Sequence, residues 1–99
     1  MTRLFLKGSH YAVLGFDITS KDSFNEIKEY HYNLVKDMLN DDKLIYLVAN
    51  KIDALKYQVT ENESIFYAKE KNIKYFRVSA KTGEGVNDLF ENIANSLIQ

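Results

Sequence analysis

The stretch Leu44-Ile45-Tyr46-Leu47-Val48-Ala49, followed at once by Asn50-Lys51-Ile52-Asp53, decides the fold. An unbroken apolar run, without the alternation of a half-exposed strand, predicts a strand buried on both faces. Such strands belong to parallel sheets covered by helices, and ligands gather at the carboxyl ends of those strands. The polar residues that follow this run are therefore candidates for a site.

A second apolar run with a polar end lies further along the chain. Tyr75-Phe76-Arg77-Val78 is followed by Ser79-Ala80-Lys81, a second short motif at a strand end. The carboxyl ends of parallel strands share one edge of a sheet, so we expect the two motifs on the same rim. Another interpretation stays open, in which Asn50 and Asp53 are loop or capping residues and Ser79 begins a turn.

The chain divides into three strand-then-helix units without long linkers, repeats or low-complexity stretches. This alternation predicts an α/β fold, a three-layer parallel sheet with right-handed crossovers. The predicted elements are strand Tyr11 to Ile18 with helix Ser20 to Leu39, strand Leu44 to Ala49 with helix Thr60 to Lys71, and strand Tyr75 to Val78 with a last helix.

The sequence also predicts the ends and the buried positions of the helices. Thr60 and Glu63 form a predicted capping box, and Asn72 is a plausible left-handed end. His31 falls where the apolar stripe of the first helix expects a core residue, and we expect it to be packed and hydrogen-bonded. The core positions predicted for the first and last helices are Phe24, Ile27, Leu34, Val35 and Met38, and Val86, Leu89, Phe90, Ile93, Ala94 and Leu97.

Composition limits the class of protein. The chain has 99 residues, 45% of them hydrophobic and 27% charged, with a net charge of −1. These values exclude a disordered tail and give no electrostatic reason to expect nucleic acid as a partner. We expect one domain or half-domain.

Zero cysteines exclude disulfides and a prenylation acceptor within the chain, and no apolar run spans a bilayer. We expect a cytoplasmic protein that does not insert into membranes.

At this point the sequence resembles the small GTPases of the Ras superfamily, most closely the Rab branch, along nearly the whole chain. Asn50-Lys51-Ile52-Asp53 is similar to the family's Asn-Lys-x-Asp element, and Ser79-Ala80-Lys81 to its Ser-Ala-Lys element. Phe16-Asp17-Ile18-Thr19, followed by Ser23-Phe24, resembles the strand-to-helix segment of the family. Phe5-Leu6-Lys7-Gly8-Ser9 resembles its Tyr-Tyr-Arg-Gly-Ala stretch.

The residue types suit the guanine base. Guanine presents two adjacent donors, the ring N1–H and the exocyclic amine, and one carboxylate accepts both, so Asp53 is the predicted reader. Adenine offers an acceptor instead, which leaves polar groups unpaired. We expect the stems of Lys51 and Lys81 to lie on the two faces of the base with their ammonium groups in water. Asn50 would join the loops, and the backbone N–H groups around Ala80 would face the guanine carbonyl.

The resemblance therefore implies GTP or GDP as ligand, with six base-site residues: Asn50, Lys51, Asp53, Ser79, Ala80 and Lys81. The sequence contains no Gly-x-x-x-x-Gly-Lys-Ser/Thr loop and no counterpart of the family's switch segments. It therefore resembles the carboxyl-terminal half of a P-loop NTPase-like GTPase domain. We expect weak or absent nucleotide binding by this chain alone, no catalytic residue and no magnesium ligand.

Three functional readings follow. The first is the base-binding half of a Rab-like switch protein in vesicle traffic. The second is a non-catalytic interaction module, a GTPase remnant that binds protein through its sheet edge or helices. The third is an unrelated doubly wound domain such as a receiver-like module, which would need more acidic residues near Asp17.

The strand from Tyr11 to Ile18 suggests a consequence for partners. In the family it lies beside the strand that carries the phosphate loop, so we expect its edge to be unpaired here. The strand has no charge or proline between Tyr11 and Phe16 to protect that edge. We therefore expect self-association through it, or a requirement for an amino-terminal half.

Overall fold

The computed structural model describes residues 3–6, 11–39, 45–52 and 54–97. It has four strands and four α-helices in this part of the chain, and a π-helical turn joins the first two helices. In chain order the elements are β1 (Arg3–Leu6), β2 (Ala12–Asp17), α1 (Lys21–Glu26), the π-turn (Ile27–His31), α2 (Tyr32–Leu39), β3 (Ile45–Asn50), α3 (Glu61–Lys71), β4 (Lys74–Arg77) and α4 (Val86–Leu97).

The sheet has the order β1-β2-β3-β4. β2, β3 and β4 are parallel, and each is followed by a helix, so the predicted α/β architecture with three strand-helix units is confirmed. The register pairs Ala12 with Ile45 at one end of β2 and Asp17 with Asn50 at the other. The carboxyl ends of β2 and β3 therefore stand side by side.

Two apolar cores lie on the two faces of this sheet, which gives three layers. Leu14 and Leu47 point to the face covered by α1, the π-turn, α2 and α3. Tyr46 and Val48 point to the other face, where Leu89 and Ile93 of α4 cover them. Because successive strand residues point to opposite faces, a continuous apolar run supplies both cores.

The π-turn corrects the predicted core of the first helical segment. A π-turn takes in one more residue than an α-helical turn, so every later side chain shifts around the helix axis. Leu34 and Met38 were predicted in the core but are 43% and 48% exposed. Leu39, one position after Met38, is buried with Val35, and so is Tyr32, one position after His31. The shift buries the Tyr32 ring edge-on against Tyr67, with centroids 6.1 Å apart.

His31 ends the π-turn and is only partly buried. Its Nδ1 is buried and has no hydrogen-bond partner among the described residues. The expectation of a hydrogen-bonded core histidine is therefore wrong for this nitrogen. The insertion of one residue moves His31 off the apolar face that an uninterrupted helix would give it.

The ends of α3 follow the prediction. The Thr60 side chain accepts a hydrogen bond from the Glu63 N–H, and the Glu63 carboxylate accepts one from the Thr60 N–H, which completes the capping box. Asn72 ends the helix in the left-handed conformation, with φ 57°. Short polar side chains tolerate that conformation, so both signals are local and readable from sequence.

The predicted stripe of α4 is only partly correct. Leu89 and Ile93 are buried and Val86 is partly buried, whereas Phe90 is 61% exposed and Ala94 is also exposed. Residues 86, 89 and 93 lie on one narrow line along a helix, and positions 90 and 94 lie to one side of it. α4 therefore buries only the residues on this line against the sheet, and Phe90 and Ala94 are left in solvent.

The expectation of an unpaired edge on β2 is wrong. β1 pairs with β2 in antiparallel orientation from Arg3 opposite Gly15 to Leu6 opposite Ala12. A segment just ahead of a strand pairs with it in this orientation after a short connection. The edge on which we expected self-association is therefore occupied along Ala12 to Gly15, while Phe16 and Asp17 extend beyond β1.

Candidate functional site

Both sequence motifs lie on one rim of the sheet, as predicted. Asn50 is the last residue of β3, and Ser79 follows closely on β4. The backbone joins the two loops, since the Ile52 N–H donates to the carbonyl of Val78 across 3.4 Å. The Asn50 carbonyl in turn accepts from the Ile18 N–H at 3.2 Å, which ties in the end of β2.

Asn50 links the two motifs through its side chain. Its Oδ1 accepts a hydrogen bond from the Lys51 N–H at 2.8 Å and another from the Ala80 N–H at 3.4 Å. The second bond spans 30 positions of sequence. The prediction that Asn50 joins the loops is therefore confirmed, and the Ala80 N–H, which we expected to face a ligand, donates to Asn50 in this structure.

Lys51 has an unusual backbone and a side chain with a defined partner. Its φ is 66°, in the left-handed region, which side chains with a Cβ adopt at a cost. Its Nζ lies 2.7 Å from Oδ2 of Asp17, although the Lys51 side chain is 59% exposed. We expected this ammonium group to lie in water; it is exposed, and it also forms an ion pair at the end of β2.

Asp17 is the site residue that sequence reasoning missed. Its Oδ1 accepts hydrogen bonds from the Thr19 N–H at 2.8 Å and the Thr19 hydroxyl at 2.6 Å. Burial raises the pKa of Asp17, but the hydrogen bonds from Lys51 and Thr19 together outweigh burial and hold this pKa below its ordinary value. The signal that could have identified Asp17 was its position in the sequence, because it ends the strand that pairs with β3.

The loop from Ser79 to Gly85 is held by its own residues. Ser79 is fully buried, and its hydroxyl oxygen accepts from the Thr82 N–H at 3.1 Å. The Ser79 N–H donates to the Glu84 carbonyl at 2.9 Å, and its carbonyl accepts from the Gly83 N–H at 2.7 Å. Ser79 therefore shapes this turn, while Ala80 and Lys81 are exposed at its surface.

Gly85 closes this loop where no other residue fits. Its φ is 78°, and a Cβ built there would lie 2.1 Å from the carbonyl oxygen of Arg77. A contact that short requires the backbone to move. Gly83 also has a positive φ, 84°, but a Cβ there would meet open space.

The loop from Lys51 to Val59 is held by a bond of its own and by bonds to residues outside it. The Tyr57 hydroxyl donates to the Ile52 carbonyl at 2.7 Å. The carbonyl of Ile18 accepts from the N–H groups of Gln58 and Val59 at 2.8 and 3.0 Å. Asp53, the predicted base reader, lies in this loop but outside the described residues.

The rim carries backbone N–H donors, the Asp17 carboxylate with the Lys51 ammonium group, and the exposed residue Lys81. Among residues 3–6, 11–39, 45–52 and 54–97, no cluster of three His, Asp or Glu side chains is arranged to hold a metal ion. None of the helices in these ranges is sufficiently long and apolar to cross a bilayer. The polar groups on this rim can bind a polar, planar ligand through hydrogen bonds and charge.

The chain is similar to members of one known protein family along its whole length. The model of the Ras family matches residues 1–99. The Ras-related protein Rab-18 of Lymnaea stagnalis is 31% identical over 99 residues, which cover 100% of this chain and 49% of that relative. Rab-18 of Caenorhabditis briggsae is 32% identical with the same coverage. DnaJ homolog subfamily C member 27 of Mus musculus is 32% identical, over 95% of this chain and 36% of that protein. The chain thus spans about half the length, or less, of these relatives.

Proposed function

The chain belongs to the Ras family, and from this premise we propose that it binds the base of a guanine nucleotide, GTP or GDP. In this proposal the chain supplies the base-binding half of a Rab-like switch protein that acts in vesicle traffic in the cytoplasm. The six residues proposed to form the base site are Asn50, Lys51, Asp53, Ser79, Ala80 and Lys81.

The observation that carries the proposal is the hydrogen bond from the Ala80 N–H to Oδ1 of Asn50. A residue that only shapes its own turn bonds to neighbours a few positions away. Asn50 bonds instead to a loop 30 positions along the chain and so sets the spacing between two motifs. A ligand held between the loops needs that spacing fixed, which supports a shared base site.

Asp53 would supply the specificity. The Lys51 carbonyl accepts from the Ala54 N–H at 2.9 Å, in the loop to which Asp53 belongs by sequence. A carboxylate in this loop would accept both edge donors of guanine and would meet an acceptor on adenine. Selectivity between the two bases would therefore depend on this one side chain.

Affinity for the base alone should be modest. A dissociation constant of about 1 mM corresponds to about 4 kcal/mol, a reasonable value for a ligand held without its phosphates. Phosphoryl transfer requires that the phosphates be positioned and neutralised. The sequence contains no Gly-x-x-x-x-Gly-Lys-Ser/Thr loop for that purpose, so we propose that this chain alone does not hydrolyse GTP.

The test is a titration of the isotope-labelled 99-residue chain with GDP and, separately, with ADP, followed by amide chemical shifts with and without magnesium. We expect millimolar, guanine-selective binding that magnesium leaves unchanged, with the largest shifts at Lys51 and Ala80. Tight, magnesium-dependent binding would contradict the proposed division of the site. No binding to either nucleotide would overturn the proposal and favour the protein-interaction module.

The Asp53→Asn variant tests whether Asp53 recognises the guanine base. An amide cannot accept both guanine donors, so we expect the preference for GDP over ADP to fall about tenfold while the fold is retained. Asp37→Asn is the matched control, because it removes the same charge on α2, the helix that precedes the opposite, amino-terminal end of β3. An unchanged preference in Asp53→Asn would contradict the assigned role.

A further inference from the structure

Lys51 has a backbone conformation that its own side chain does not favour. A left-handed φ costs about 1 to 2 kcal/mol for a residue with a Cβ, and only short polar side chains offset it by local bonding. The other non-glycine residue described with positive φ is Asn72, which has such a side chain. The conformation at Lys51 therefore depends on contacts with other residues.

Three contacts of Lys51 meet this need. Its N–H donates to Asn50 Oδ1 at 2.8 Å, and its carbonyl accepts from the Ala54 N–H at 2.9 Å. These two contacts hold the backbone. The third is the ion pair with Asp17, with the two charged atoms 2.7 Å apart, and it holds the far end of the side chain.

Asp17 is a rigid partner for that ammonium group. The residue is 8% exposed, and Thr19 donates twice to its Oδ1, which leaves Oδ2 directed to Lys51. Its own N–H donates to the Ser23 hydroxyl oxygen at 3.1 Å. A carboxylate held at one oxygen and at its backbone has little freedom to follow a mobile lysine. The lysine is therefore ordered by the aspartate.

We propose that Asp17 is a positioning residue that holds the Lys51 stem in place beside the base before a nucleotide arrives. This inference rests on the proposed base site. A side chain already ordered loses less conformational entropy on binding, which raises affinity. Asp17 itself does not touch the base, so it contributes to affinity and leaves the choice between guanine and adenine to Asp53.

This division of roles gives a measurable signature in the same nucleotide titration. Asp17→Asn should raise the Kd for GDP about fivefold, a typical coupling between directly paired residues, and raise the Kd for ADP by the same factor. Lys51→Met should have a similar effect, and the double variant should be no worse than either single variant. Glu63→Gln removes another lysine–carboxylate pair, that of Lys21 and Glu63, and should leave both Kd values unchanged.

A second measurement examines the positioning without nucleotide. The Asp17 carboxyl carbon, titrated by NMR, should show a higher pKa in Lys51→Met than in the wild type, because Lys51 lowers this pKa. Lys51→Met replaces an exposed side chain and keeps the stem, so it remains informative if Asp17→Asn fails to fold.

The outcomes separate the two proposals. If the wild-type chain binds GDP selectively and Asp17→Asn or Lys51→Met binds it equally well, the positioning role is overturned while the base site stands. If the wild type shows no selectivity for guanine, the proposed function fails, and Asp17 then has no base site to organise. Additive effects of the two substitutions would also contradict the positioning role.

Discussion

The two loops of the site are built in different ways. The loop from Ser79 to Gly85 forms four hydrogen bonds within itself, besides the bond from the Ala80 N–H to Asn50, and passes through two glycines with positive φ. The loop from Lys51 to Val59 depends on distant residues, namely Asp17 at its start and the Ile18 carbonyl at its end. A self-contained loop is encoded by its local sequence, whereas a loop held from outside exists only when the sheet has formed.

The largest effect should come from Gly85→Ala, which breaks the self-contained loop. The added Cβ would meet the Arg77 carbonyl at 2.1 Å in a left-handed backbone, so we expect a loss of about 3 kcal/mol or more in the free energy of unfolding. Gly83→Ala is the matched control. It has open space, so it should lose only about 1 to 2 kcal/mol by urea denaturation. Equal losses in the two variants would contradict the close approach seen at Gly85.

Asn50→Ala should disconnect the two loops. The substitution removes the acceptor for the Lys51 and Ala80 N–H groups, and we expect it to cost about 1 to 2 kcal/mol of stability. Amide hydrogen exchange should rise at both N–H groups. Because the Ser79 loop keeps its own bonds, exchange at Gly83 should not change. Faster exchange throughout the Ser79 loop would show that this loop also depends on the other.

Tyr57→Phe should loosen only the loop from Lys51 to Val59. It removes the hydroxyl that donates to the Ile52 carbonyl, and since the ring is partly exposed we expect about 0.5 to 1 kcal/mol. Hydrogen exchange should increase at Ala54 and stay constant in the Ser79 loop. The exposed Tyr30→Phe substitution on the π-turn is the control, with no effect expected at either loop.

Acid should act most weakly, and it should act at the start of α3, where Glu63 pairs with Lys21. The hydrogen bond from Lys21, and then that from the Thr60 N–H, lower the pKa of Glu63 to about 2, from an ordinary 4.5. A lowered pKa means stability that is complete above pH 4.5 and lost as the pH falls toward 2. The pair is partly exposed, so we expect about 0.5 kcal/mol after solvent screening.

Urea denaturation at pH 6 and at pH 2.5 measures this contribution. In Glu63→Gln the loss of stability between the two pH values should be smaller than in the wild type. The Asp17 pKa is also lowered, so both proteins should still lose some stability in acid. An identical pH dependence in both proteins would contradict the role given to Glu63.

The sequence predicted the three parallel strands and the caps of α3 because their signals are local, but it did not predict β1. An apolar run that fills both faces of a strand gives β3, and Thr60 with Glu63 gives the start of α3. The core of the first helical segment was predicted less well. A periodicity argument assumes one helical period throughout, and the π-turn from Ile27 to His31 changes the phase by one residue. Packing of Tyr32 against Tyr67 accompanies that change.

The general position of the candidate site was also predicted from local signals in the sequence. Two polar motifs after apolar strands gave Asn50 and Ser79, and parallel pairing placed them on one rim. Asp17 was quoted within Phe16-Asp17-Ile18-Thr19 but was not assigned to the site, because a single acidic residue at a strand end does not by itself indicate a binding role. Only its register opposite Asn50 brings its carboxylate to the Lys51 ammonium group. Asp53 as the base reader stays a prediction of the sequence.

The order of α and β elements and the capping of α3 follow from sequence alone, because each depends on residues close together in the chain. The shared rim follows from that order, because the carboxyl ends of parallel strands meet at one edge of the sheet. Tertiary structure decided the rest. It placed β1 on the edge of β2, moved Leu34 and Met38 out of the core, and paired Asp17 with Lys51. Those outcomes depend on contacts between distant segments, and the free energy of such contacts exists only after the sheet has brought them together.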